Sequence, residues 1–119
     1  MNRELPVIRA CYGLTLDLSR RVEKFPRHQR AALGGELTDR CRGILARLIE
    51  ANYAAPEGKA RFLTEANVQL ELLRFGLRLA CDLKSLPYAG HGHVLGLAQD
   101  VGAQIGGWLK AVRQQAPAP

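Results

Sequence analysis

Little in this sequence is equipped for chemistry of its own. Serine occurs only at Ser19 and Ser85, tryptophan and methionine once each, and aromatic residues make up 6% of the chain. Neither serine has a His–Asp arrangement near it, so an activated hydroxyl nucleophile is not supported. No apolar run approaches the ~20 residues that span a bilayer. The first residues, MNRELPVIRACYG, place Glu4 and Arg9 around a short apolar patch and lack an apolar core of signal-peptide length. Cys11, Cys41 and Cys81 form no CxxC pair, which leaves a zinc ribbon or a thioredoxin-type site without support. Reduced thiols in a cytoplasmic protein are the simplest reading. There is no E-x-x-H motif of the di-iron carboxylate bundles, and the Gly-Gly pairs do not match a phosphate-binding loop. His91 and His93, in the run PYAGHGHV, read as a turn before the last helix, with Asp82 and Asp100 the nearest carboxylates in sequence. A tetrahedral metal set would need ligands from elsewhere, so a solvated polar turn is expected. No enzyme activity, cofactor or metal is expected.

What is present is an ordinary globular balance, with 47% hydrophobic and 24% charged residues over 119 positions. That is one domain with a real core, and too little chain for separate cofactor and substrate domains. Pro6, Pro26, Pro56 and Pro87 stand before or just inside four segments, where a helix's first turn tolerates the missing N–H. Within the segments apolar residues recur at helical spacing. The stripes are Ile8, Cys11, Leu14 (or Thr15), Leu18 and Val22; then Leu33, Leu37, Cys41, Ile44, Leu45, Leu48 and Ile49. The third segment has Phe62, Ala66, Leu70, Leu73, Leu77, Ala80 and Cys81. The fourth has Val94, Leu97, Ala98, Val101, Ile105, Trp108, Leu109 and Val112. Period-two alternation is missing. The spacing predicts an all-α, antiparallel up-down-up-down four-helix bundle over 1–115, with 116–119 a frayed tail.

Two features stand out against this frame. Ala98, Gly102 and Gly106 are four apart and form one smooth ridge on the fourth helix, suited either to tight packing within the bundle or to contact between subunits. Charge is the other. Seventeen Lys+Arg against eleven Asp+Glu leave +6, which makes polyanions the first partners to consider. Arg20, Arg21, Lys24, Arg27 and Arg30 crowd the first corner against Glu23 alone, and antiparallel packing brings Lys84, His91 and His93 to the same end. Such a corner is either a solvated face or a phosphate-contacting surface whose binding weakens steeply with salt. Arg74 and Arg78, four apart in LLRFGLRLA, offer planar forks suited to phosphates or carboxylates, although Glu71 and Asp82 are placed to pair with them. The scattered aromatics form no base-stacking platform, so nucleic-acid binding would be backbone-directed.

The phrases VEKFPRHQRAALGGEL (22–37), LIEANYA (48–54), FLTEANVQLELLRFGLRLACDL (62–83) and VGAQIGGWLKAV (101–112), in this order and spacing, resemble the Avd accessory proteins of diversity-generating retroelements. These belong with the four-helix bundles encoded by intervening sequences in 23S ribosomal RNA genes. The resemblance runs from about residue 5 to 113. It implies a small basic bundle without a catalytic centre, assembling as a barrel-shaped homopentamer. Such a protein binds the element's reverse transcriptase and nucleic acid, RNA or DNA, during mutagenic copying of template RNA into cDNA. The L-R-F-x-L-R phrase places the family's functional basic pair on Arg74 and Arg78; for the corner cluster only a basic surface is implied. The alternative is a non-catalytic scaffolding bundle whose partner is purely protein.

Overall fold

Each of the first four prolines marks the start of a helical rod. The computed structural model describes residues 5–115. Pro6 and Pro56 are the first residues of α1 (Pro6–Val22) and α4 (Pro56–Asp82). Pro26 directly precedes α2 (Arg27–Gln29), and Pro87 directly precedes α5 (Tyr88–Gln115). After α2 the chain passes through a π-helical segment (Arg30–Gly34) into α3 (Gly35–Tyr53), and the three pieces run on without a break as the second rod. Among the described residues there is no strand. The expected four helices are present, and the expected histidine turn is corrected: His91 and His93 lie within the first turns of α5. Pro87 supplies the helix start that the HGH run had suggested belonged further on. The 116–119 tail lies outside the described residues.

α1 packs on α3 and α5, and α4 packs on the same two, so α1 and α4 occupy diagonal corners of the bundle. One narrow stripe per rod fills the centre. It includes Cys11, Leu14 and Leu18 of α1, Cys41, Ile44 and Leu48 of α3, Leu63, Leu73 and Leu77 of α4, and Val94, Val101 and Ile105 of α5, all fully buried. Burial of such a side chain contributes about 1.5–3 kcal/mol against the entropy of ordering the chain. Two further core residues come from connections: Phe25 plugs the α1–α2 corner and Leu86 the α4–α5 turn. Ala54 and Ala55, both extended, complete the tight α3–α4 link. The Lys59 ammonium closes the end of α3, donating to the carbonyls of Ala51 (2.8 Å) and Asn52 (3.3 Å), where the helix dipole favours a cation.

The α4–α5 turn is a Schellman cap. The Lys84 N–H donates to the Cys81 carbonyl and the Ser85 N–H to that of Ala80, both at 2.9 Å. Lys84 holds φ at 65°, the left-handed position that glycine usually takes. The α1–α2 corner depends on closeness rather than on conformation. Gly34 has ordinary helical angles, but a Cβ there would fall 2.4 Å from Val22 Cγ1 and 3.6 Å from Phe25. The π segment therefore leans on the end of α1 through bare backbone.

Two of the three thiols, Cys11 and Cys41, are sealed in this core. Cys11 Sγ lies 4.0 Å from the Cys41 carbonyl oxygen. Burial pushes the Cys11 thiol up to about 11 and the Cys41 thiol up to about 12, so both stay protonated near neutrality.

Gly34→Ala should lower stability by about 1–2 kcal/mol through overpacking. Gly43→Ala, where a Cβ meets nothing within 4 Å, should raise it by up to ~1 kcal/mol; urea unfolding measures both. An alkylating reagent at neutral pH should label the native chain at half-exposed Cys81 alone, and all three thiols in denaturant, as read by mass spectrometry.

Candidate partner-binding surfaces

The cations named from the sequence separate into two groups according to what each already touches. Arg21 is taken up inside the molecule. Its Nε donates to Asp17 Oδ2 at 2.8 Å, and its Nη1 lies 2.7 Å from the Cβ position of Gly90. The other Asp17 oxygen lies 3.6 Å from His93 Nε2. A guanidinium from α1 thus ends against a glycine of α5, tying the two rods at the corner end. This contact places the end of α1 beside the start of α5, as antiparallel packing requires.

Arg74 repeats the device on the other side. Its Nη1 donates to Glu71 Oε2 at 3.2 Å, and its Nη2 lies 2.9 Å from the Cβ position of Gly102. Here α4 lays a guanidinium on a second glycine of α5. The smooth ridge therefore divides: Ala98 is buried, Gly102 seats a side chain, and Gly106 faces open space. Helix-on-helix approach along the whole ridge is not what these residues provide. Arg78 differs from its neighbour. Its side chain is 71% exposed and approaches Asp82 only to 3.9 Å, a separation and exposure at which an ion pair contributes little.

Between α4 and α5 runs a shallow cleft of about 180 Å³, lined by Glu71, Arg74, Phe75, Arg78, His91 and Leu95. Arg74 Nε and His91 Nε2 are buried there without a hydrogen-bond partner among the described residues, as is Ser85 Oγ in the adjoining turn. Sequence reasoning had not placed His91 beside the arginine pair. Its signal was available once Pro87 is taken as the helix start, because His91 and Leu95 then stand four apart on one face of α5. The same geometry weighs against a metal pair. His91 and His93, two apart on a helix, point to different sides. Among the described residues no group of three or more His, Cys, Asp or Glu could hold a metal ion.

At the corner end, Arg20, Lys24, Arg27 and Lys84 are exposed and without an ion-pair partner among the described residues. Arg30 makes one long contact, 3.4 Å to the Phe25 carbonyl. These five sit at the end of α1, in the α1–α2 corner and in the α4–α5 turn, on the end of the rod where α1 and α5 meet. No helix among the described residues is long and apolar enough to cross a membrane.

Fold and surface together define a small basic helical bundle with free cations gathered at one end and a half-occupied arginine pair on one flank. The bAvd-like family model matches residues 16–112, and the chain belongs to that family. No curated protein matches the sequence. Membership points to an accessory protein of a diversity-generating retroelement.

Arg74→Ala should cost about 1 kcal/mol in urea unfolding, since it removes a packed stem as well as a charge. Arg78→Ala should stay within about 0.5 kcal/mol of the wild type, as surface changes do.

Proposed function

We propose that the chain acts as a non-catalytic accessory subunit of a diversity-generating retroelement. In this reading it docks the element's reverse transcriptase and holds the phosphates of template RNA or its cDNA while copying proceeds. It works as a ring of identical subunits, a pentamer as in the Avd proteins it resembles. The observation that carries the reading is the set of cations without an ion-pair partner among the described residues, Arg20, Lys24, Arg27, Arg30 and Lys84 at one end, set apart from Arg78 on the α4 flank. Phosphates at the corner would be met by point charges and forks without any stacking platform, which favours backbone contact over base reading. On the flank, Arg78 at the α4–α5 cleft beside Leu95 offers a charged fork with an apolar neighbour, a combination suited to a protein surface.

The apolar exposure of that flank also fits a protein-only scaffolding partner. Retention on random-sequence RNA separates the two: a chain that does not bind RNA at low salt belongs to the scaffolding alternative.

The logarithm of the affinity for single-stranded RNA should fall linearly with log salt, at roughly 0.7 per phosphate contact. Replacing Arg20, Lys24, Arg27 and Arg30 together with alanine should reduce the slope by about 3 if each holds one phosphate. A slope unchanged by the replacement removes the corner from the assignment. Arg74→Ala with Arg78→Ala should abolish co-purification with the reverse transcriptase. Arg78→Ala alone is the cleaner probe, because Arg74 also holds α4 to α5.

A further inference from the structure

Val68, Leu72, Phe75, Leu79 and Leu83 form a line along the outer face of α4 and into the turn beyond it. Val68, Phe75 and Leu79 are 54%, 61% and 50% exposed. Steps of four, three, four and four keep them on one side, a seam about 22 Å long at 1.5 Å per residue. The first four follow the alternation by which one helix offers knobs to another. A surface helix is normally polar on this side, and contiguous exposed apolar surface marks an interaction site.

The outer face of the adjacent helix is its opposite in size. Gly92, Gly96, Ala103 and Gly107 are exposed along α5, with Gln99 the one long side chain among them, and a Cβ on any of the three glycines would meet nothing within 4 Å. The two faces also agree in height. Gly102 sits beside Leu70 and Arg74, so in antiparallel α4 and α5 the stretch 68–83 lies level with 107–92. Copies standing side by side without axial shift would therefore bring the bulky seam of one against the small-residue bed of the next. At that register Glu65 comes level with Lys110, so opposite charges stand at the same height on the two faces.

We propose that the outer face of α4 packs on the outer face of α5 in a second copy of this chain, and that the contact repeats around a closed ring. The inference rests on the self-assembly reading above and names the surfaces that carry it. The contact is heterologous, one face against a different face. Such contacts close when successive copies turn without translating along the axis. Neighbouring corners of a four-cornered bundle supply the turn, and the shared height supplies the absence of translation.

Light scattering on the whole chain and three variants tests this. Phe75→Glu places a charge in the seam. Gly96→Gln fills the bed on α5 with a better helix former where a single chain has open space, so its helix content by circular dichroism should match that of the wild type. Gly13→Gln makes the same change at an open position on α1. The expected result is a wild type several times 13.1 kDa, loss of the assembly to that single-chain mass for Phe75→Glu and Gly96→Gln, and an intact assembly for Gly13→Gln. A wild-type assembly that survives either of the first two changes, or is lost with the third, overturns the pairing of faces while leaving self-assembly standing. A wild type of single-chain mass at micromolar concentration overturns both.

Discussion

The seating of the last rod against its neighbours depends on two guanidinium groups that end against glycines of that helix. α5 stands between α1 and α4, and each neighbour reaches it with an arginine: Arg21 over Gly90 and Arg74 over Gly102. Each fork is held by a carboxylate from its own helix, Asp17 for Arg21 and Glu71 for Arg74. A side chain at either glycine would lift the fork out of the groove, so the smoothness of α5 is what lets charged stems fill the seams of a thin bundle. Long basic side chains commonly bury their stems along apolar surface while the charge stays near water. Here they fix the position of the last rod relative to both flanking rods.

That arrangement alters what the basic surface contains. Of the eight cations singled out from the sequence, Arg21 and Arg74 serve as clamps. The others keep their charge largely unengaged, with Arg78 held only by a distant, exposed Asp82. The arginine pair of the LLRFGLRLA run is thus a pair by spacing and not by role. A substitution at Arg74 combines loss of a charge with loosening of α4 against α5, whereas Arg78 changes surface chemistry alone.

Much of the fold was legible because helical periodicity and proline placement agree. The stripes through Cys11, Leu18, Cys41, Leu48, Leu73, Val101 and Ile105 are buried as their spacing predicts. Phe25 and Leu86 escaped notice because they sit in connections, where no period reveals a core residue. The histidine run read as a turn because two glycines surround it. Gly90 is instead required by the Arg21 fork, while Gly92 lies in open space within the helix. The π segment left no sequence signal beyond the bare Gly34 that meets Val22. On α4 the difficulty was excess rather than lack of signal. Two apolar periods are superposed there, one through Leu63, Ala66, Leu70, Leu73 and Leu77 and another through Val68, Leu72, Phe75 and Leu79, and only the first was needed to explain a core.

The second period is the more informative one physically. Four rods of this thickness surround a core only one stripe wide on each helix, so further apolar residues on α4 have nowhere to go within the chain. Their exposure costs solubility unless something covers it. Meanwhile α5 carries glycines on its outer face, at up to ~1 kcal/mol each in helix stability relative to alanine, with no neighbour in the same chain to justify them. Bulk without a socket on one helix and a socket without bulk on the next are separate anomalies for a single chain. They cancel when copies stand side by side. The free cations of the corner lie at the end of the rod, outside that contact, so packing copies around a ring would set the same cluster on one rim once per subunit. A polyanion running along such a rim meets a repeated row of charges that no single 119-residue chain could present.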